Sequence, residues 1–366
     1  MTRRVMALAV IVALVLTAAT AFVARAQEEQ APPPGQAAPP AQAAPEQAAP
    51  QEQPAPEEQA AQAESVLLRL KFTPGETMRY RIFADAEGVM SADIPMPPEA
   101  QGMMPGQMPL RMVFQGEGLA KVLGVDEAGA ARLRVIADNL SATMELFGQK
   151  MTMSVKGGKF SVTEGGKLPM LPGGAKIPFL QEPIEVKVGP RGEVLDFVIP
   201  GMDLAAMMPG MSMKDMLQEQ ILLPEDPLTV GQLWNDSRTI TFPGSTTPMT
   251  YDTKMVVNRI ENWAGDRKVA NIRVEAMTSG HDIDFSQMVP PQAQQQGGPP
   301  VSGTMNIDQQ LAGTMLFDAT RGIVIRFDFQ MNQQMNMAST VSSPDGARQS
   351  MSMTMNFTIK GAVAKI

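Results

Sequence analysis

The sequence has no cysteine. Disulfides, thiolate metal ligands, a cysteine nucleophile and a lipid-bearing cysteine are therefore all excluded. Histidine is almost as scarce. His281 stands alone, so a zinc site built on several histidines is out of reach, and any Ser-His-Asp triad would have to use this residue. It sits in His281-Asp282-Ile283-Asp284 at the end of a strand-like run, where a solvated side chain is the ordinary outcome. A nucleophile elbow, a phosphate-cradling glycine loop and an EF-hand pattern are absent too. The sequence therefore predicts a non-enzymatic protein without a cofactor. Basic residues are outnumbered, 30 against 38 acidic ones, giving a net charge of −8, so nucleic acid is not an expected partner.

Apolar residues are missing altogether from one long stretch. Residues 27–64 contain no Leu, Ile, Val, Met or aromatic side chain, and are built from Ala, Pro, Gln and Glu. Such a segment buries too little to offset the entropy of ordering, and reads as an extended, solvated spacer. Before it, Thr2-Arg3-Arg4 precedes an uncharged apolar run from Val5 to Val23. Ala24-Arg25-Ala26 then presents small residues at Ala24 and Ala26, the pattern of a signal-peptidase site with cleavage before Gln27. An uncleaved anchor is the rival reading, because the run is long enough to span a bilayer. Either way the rest of the chain is expected outside the cytoplasm, periplasmic or secreted. The expected organisation is thus residues 1–26 as signal peptide, 27–64 as spacer and 65–366 as a β-rich globular region.

That region alternates with period two. Met351, Met353, Met355 and Phe357 share one side of a strand against Ser352, Thr354 and Asn356. Ile323, Ile325, Phe327 and Phe329 do likewise, as do Ala270, Ile272, Val274 and Ala276, and Val66, Leu68, Leu70 and Phe72. One apolar and one polar face per strand predicts antiparallel sheet with a wet side. Ser91–Pro109 and Ser286–Gly303, rich in Pro, Gly, Gln and Met, read as loops. The helical candidate starts at Ser212 and runs through Leu217 and Ile221 towards Pro224.

The order of features occurs twice, approximately over 65–200 and 224–366. Thr73-Pro74-Gly75-Glu76 is echoed by Thr229-Val230-Gly231-Gln232, Asp126-Glu127-Ala128-Gly129 by Trp263-Ala264-Gly265-Asp266, and Gly189-Pro190-Arg191-Gly192 by the turn ending at Gly322. These motifs carry a resemblance. Pro74-Gly75-Glu76, the Gly231-Gln232-Leu233-Trp234 that follows Leu223-Pro224-Glu225-Asp226-Pro227, and Asp318-Ala319-Thr320-Arg321-Gly322 resemble an uncharacterised family of exported bacterial β-rich proteins. That family is similar in plan to periplasmic lipoprotein carriers and lipid-binding lipoproteins of the LolA/LppX type. The resemblance spans roughly residues 66 to 366. It implies a mainly β (α+β) fold: a curved antiparallel sheet or half-barrel with an internal duplication, one or two short helices and an apolar concave face. The chain departs from many relatives in lacking the lipid-anchor cysteine, so no permanent membrane anchor is expected.

Large rings are few, with only two Trp and two Tyr, yet there are 31 methionines. Methionine fills irregular cores and adaptable apolar surfaces. A lipid or another apolar small molecule is therefore the expected partner, with Met351, Met353, Met355 and Phe357 as candidates for the binding face. The alternative is a Cu(I) or Ag(I) buffer, since thioethers suit soft cations, with Met207, Met208, Met211 and Met213 as candidate ligands.

Overall fold

The structure, a computed structural model, describes residues 64–93, 107–146, 149–156, 159–163, 183–198, 222–240, 247–284, 301–342 and 348–366. The leader with Ala24 and Ala26, the spacer to residue 63, the helical candidate from Ser212 to Ile221, and Met207, Met208, Met211 and Met213 lie outside the described residues.

Within them the regular structure is all strand. In chain order these are β1 (Ser65–Val66), β2 (Thr77–Asp93), β3 (Met108–Val125), β4 (Ala131–Leu146), β5 (Gln149–Lys156), β6 (Lys159–Thr163), β7 (Ile184–Val188) and β8 (Val194–Val198). The second half adds β9 (Leu228–Thr229), β10 (Leu233–Ile240), β11 (Met249–Trp263), β12 (Arg267–Asp284), β13 (Val301–Asp318), β14 (Ile323–Ser342) and β15 (Arg348–Lys365). Thirteen strands form one sheet, in the order β10-β11-β12-β13-β14-β15-β2-β3-β4-β5-β6, with β7 on β4 and β8 on β7. Each pairing is antiparallel. The mainly β, antiparallel expectation holds. No helix occurs among the described residues, so the short helices expected beside the sheet are not seen there.

Three sequence readings need correction. The strands reach further into the two expected loops: β2 takes Ser91–Asp93, β3 takes Met108 and Pro109, and β13 takes 301–303. In β14, Val324 faces Phe317 and is fully buried, whereas Ile325 is left without a cross-strand partner by a bulge. One extra residue there brings Val324 onto the side of Phe327 and Phe329 in place of Ile325, while Ile323 stays buried in the same core cluster. Lastly, Leu67–Phe72 is not a strand but an extended strap. Val66, Leu68 and Leu70 are buried as the alternation predicts, because any extended chain lying on an apolar surface buries every second side chain.

The strap reports the curvature of the sheet. The Leu70 amide donates to the Pro190 carbonyl (2.8 Å) and the next amide, Lys71, to the Gly322 carbonyl (3.2 Å). Those carbonyls belong to the β7–β8 and β13–β14 turns, and β14 lies five strands from β7 along the sheet. In a flat sheet five steps would separate them by about 24 Å. Two adjacent amides can reach both only because this end of the sheet curls round the strap. Leu68 and Leu223 fill the enclosed space, in one apolar cluster that extends from Leu133 on β4 to Met255 on β11. The guanidinium of Arg69 ties the strap down by donating to the carbonyls of Pro224 and Glu225. Burial, then the neighbouring Arg191, lowers its pKa.

Among the described residues six glycines have positive φ: Gly75, Gly129 and Gly192 in the first half, Gly231, Gly265 and Gly322 in the second. Their settings correspond in detail at the first pair. The Gly75 amide donates to Val122 O (2.9 Å) and Gly231 to Val257 O (2.8 Å), while Glu76 closes a turn on Thr73 and Gln232 one on Thr229, each at 3.1 Å.

At the next turn Asp126 accepts from the Ala130 amide (2.9 Å) and pairs with Lys187 (2.9 Å). The Lys187 hydrogen bond, followed by that of Ala130, holds the carboxyl below the usual carboxylate range. A depressed carboxyl pKa stabilises the fold above the ordinary value and stops doing so as pH falls through the lowered one. Asp126→Asn should therefore lower the urea midpoint at neutral pH, and the difference from the wild type should close in acid, once the pH has fallen through the lowered carboxyl pKa.

Candidate functional site

Residues opposite one another in an antiparallel pair share a face, so the register sorts the sheet into cross-strand rows. One row runs from Met153 on β5 through Phe114, Ala84, Phe329 and Val274 to Trp234 on β10, spanning ten strands without a charged residue. The opposite face is polar: Glu87, Thr358, Asn332 and Gln310 form a row there. Thus the sheet has one largely apolar inner face.

That face changes character along the strands. Near the strap it is sealed, and Phe317, Val324 and Leu133 are all without exposure. Towards the far ends it is lined by methionine. Met108, Met90, Met355, Met335 and Ile307 form one row, and Met353, Met337, Met305 and Ile283 the next. Met90, Met108 and Met355 are buried, with Met335, Met337, Met353 and Phe357 packed on them and only half-buried. The structure brings Met353, Met355 and Phe357 together as the sequence predicted. Met351 is further out, on the rim of a hollow of about 540 Å³ otherwise lined by polar strand ends such as Asp93, Asp284, Thr340 and Ser352.

Glycines let the rings lie flat against neighbouring strands. A Cβ at Gly88 would overlap the Phe357 ring, and one at Gly361 the Phe329 ring. Phe327 and Phe329 stack with centroids 5.5 Å apart. The inner face therefore presents broad apolar surface beside flexible thioethers.

A row that the sequence reading missed crosses this face. Arg238, Tyr251, Thr278, Gln309 and Gln333 stand opposite one another on β10 to β14. Its signal in the sequence is a single interruption on each of two strands: Gln309 between Ile307 and Leu311, and Gln333 between Met331 and Met335.

His281 offers no catalytic arrangement. Its Nε2 lies 3.1 Å from Ser279 Oγ, which donates to Asp308 at 3.0 Å. The carboxylate is 3.7 Å from the same Nε2, whereas a triad needs it on the far ring nitrogen to orient the imidazole. His281 and Asp308 are exposed and Ser279 half-buried, on the polar side of the sheet. Among the described residues no group of three His, Cys, Asp or Glu is placed to hold a metal ion.

No family model matches the sequence, and the search of curated proteins gives no match. Solved structures do align. Acinetobacter baumannii OccAB1 is 7% identical over 79% of this chain and 97% of that one, with a TM-score of 0.19. Pseudomonas aeruginosa OccK2 (OpdF), in complex with glucuronate, is 7% identical over 80% and 100%, with a TM-score of 0.20. The outer membrane channel DcaP of Acinetobacter baumannii is 10% identical over 80% and 99%, with a TM-score of 0.15. Likeness this low assigns neither a fold nor an activity.

Proposed function

We propose that this chain is an exported, non-enzymatic envelope protein that binds an apolar ligand, a lipid or an acyl chain, on the far half of its inner face. The observation that carries the reading is the pair of methionine rows in which Met335, Met337 and Met353 are apolar yet half-buried. A core has no reason to leave such a surface part-open when its other end is sealed. Methionine adapts to chains of varied shape, and each buried CH₂ contributes about 0.8 kcal/mol before ordering costs. The Ala24-Arg25-Ala26 site supports a periplasmic or secreted location. The matching glycine turns support reading the two halves as repeats of one unit, with the β5–β6 hairpin an addition to the first.

An uncharged fluorescent naphthylamine dye tests the reading. The protein should bind it saturably at micromolar concentration. Met353→Lys, at a half-exposed position where the ammonium can still reach water, should weaken binding at least about tenfold with little change in the unfolding midpoint. Absence of dye binding, or a Met353→Lys protein that binds as well as the wild type, would sink it. The same rows gather thioethers and so favour one second reading, the Cu(I) or Ag(I) buffer. In that case Ag(I) raises the thermal midpoint by mass action while the dye does not bind.

A further inference from the structure

We infer that the row Arg238, Tyr251, Thr278, Gln309 and Gln333 is a headgroup site, and that its ligand is an amphiphile with a neutral or zwitterionic head. The inference rests on the inner face being the ligand face. Five polar side chains on five adjacent strands, in register, span about 19 Å. Apolar residues flank them on both sides: Met335 and Ile307 towards the far end, Met331, Leu311 and Ala276 towards the strap. A polar group placed in apolar surroundings costs free energy unless it is hydrogen-bonded, so a row of them is a poor way to build a core.

Within the protein Gln309 and the neighbouring Thr253 are poorly bonded. Gln309 donates from Nε2 to the thioether of Met331, a weak acceptor. Thr253, beside Tyr251 on β11 and facing the same way, is 1% exposed and its hydroxyl has no partner. Thr278, inside the row, is 4% exposed. These amides and hydroxyls offer donors and acceptors to a polar guest lying against them.

The charge of the row selects among heads. Arg238 is ion-paired with Asp236, two residues along β10 on the same face. No other charged residue stands in the polar row or in the two rows that flank it. The local net charge is therefore zero. A free carboxylate would arrive with no unpaired cation to meet it and would have to shed water. A glyceryl ester supplies hydroxyls for the amides, and a phosphoethanolamine supplies both charges for an ion pair. Its chain would lie on the methionine rows next to Gln333 and Gln309.

Displacement of the naphthylamine dye from the full-length protein tests this. Three ligands with the same saturated chain are compared below their micellar concentrations: a monoacylglycerol, a lysophosphatidylethanolamine and the fatty acid at alkaline pH. Either of the first two should displace the dye at about tenfold lower concentration than the fatty acid, and whichever is stronger identifies the head. In the Gln309→Leu/Gln333→Leu variant the preference should fall towards one, while the dye binds more tightly to the enlarged apolar surface. If that variant does not fold, Thr278→Val, which keeps the volume and removes the hydroxyl, should narrow the same ratio. A fatty acid that competes as well as the others, or a preference that survives both variants, overturns the headgroup site. Failure of the dye to bind at all overturns the ligand face instead.

Discussion

Gly322→Ala should destabilise the domain by about 2–4 kcal/mol, far more than the same change at Gly265. Both glycines have positive φ, +62° and +77°, so each alanine meets the same backbone penalty of about 1–2 kcal/mol. The space around them differs. A Cβ at Gly265 meets nothing within 4 Å, but one at Gly322 would overlap the Lys71 amide and the Arg69 carbonyl. Those are backbone atoms of the strap, which cannot swing aside as a side chain can. To make room the strap must lift, losing the bond from Lys71 to the Gly322 carbonyl and loosening Leu68 and Leu70 from the core. Urea unfolding of the two variants measures the difference. Equal losses would mean that the strap is not pressed onto the turn.

Arg267→Met should cost about 3–5 kcal/mol, and should cost more than Asp318→Ala. The Asp318 carboxylate is fully buried, and Arg267 reaches Oδ2 at 2.7 Å while the Arg321 amide donates to Oδ1 at 3.0 Å. Arg267 also lies over the Trp263 ring, 5.5 Å from its centroid. The two partners are unequally placed: the arginine is 24% exposed and the aspartate not at all. Removing the aspartate lets the guanidinium turn to water. Removing the arginine strands a carboxylate with only an amide for company, the costly half of a broken buried pair. Chemical denaturation of both variants at neutral pH checks the order.

The fold was legible where one strand carries its own pattern. Met353, Met355 and Phe357 alternate with polar residues, and β15 needs no other information to show which side is apolar. The turns were legible for a similar reason, since a left-handed glycine such as Gly129 or Gly192 is dictated locally. Leu68 and Leu70 misled because alternating burial marks extended chain rather than ladder pairing, and the amides of Leu70 and Lys71 go to turns. Ile325 misled because a bulge leaves no local trace in a run of aliphatics. Of the candidate site, the methionine face was readable from β15 alone, but the polar row was not. Gln309 and Gln333 interrupt their strands visibly; their alignment with Thr278, Tyr251 and Arg238 depends on hairpin registers and on the shift between Gly280 and Ile283. Those are set by loop lengths and close packing, which no single strand encodes.

The pairing of β15 with β2, from Tyr80 opposite Lys365 to Asp93 opposite Ser352, has a kinetic consequence. The two meanders can each assemble from neighbouring hairpins, but β15, which joins them, follows every other described strand in the chain. Until it docks, β2 offers a seventeen-residue edge with one apolar side, open to pairing with any other chain. Long-range closure of this kind is slow, because loop entropy is lost before the contacts form. The seam between β2 and β15 should therefore set the folding rate, and the interval before it closes is when the polypeptide is most exposed to aggregation.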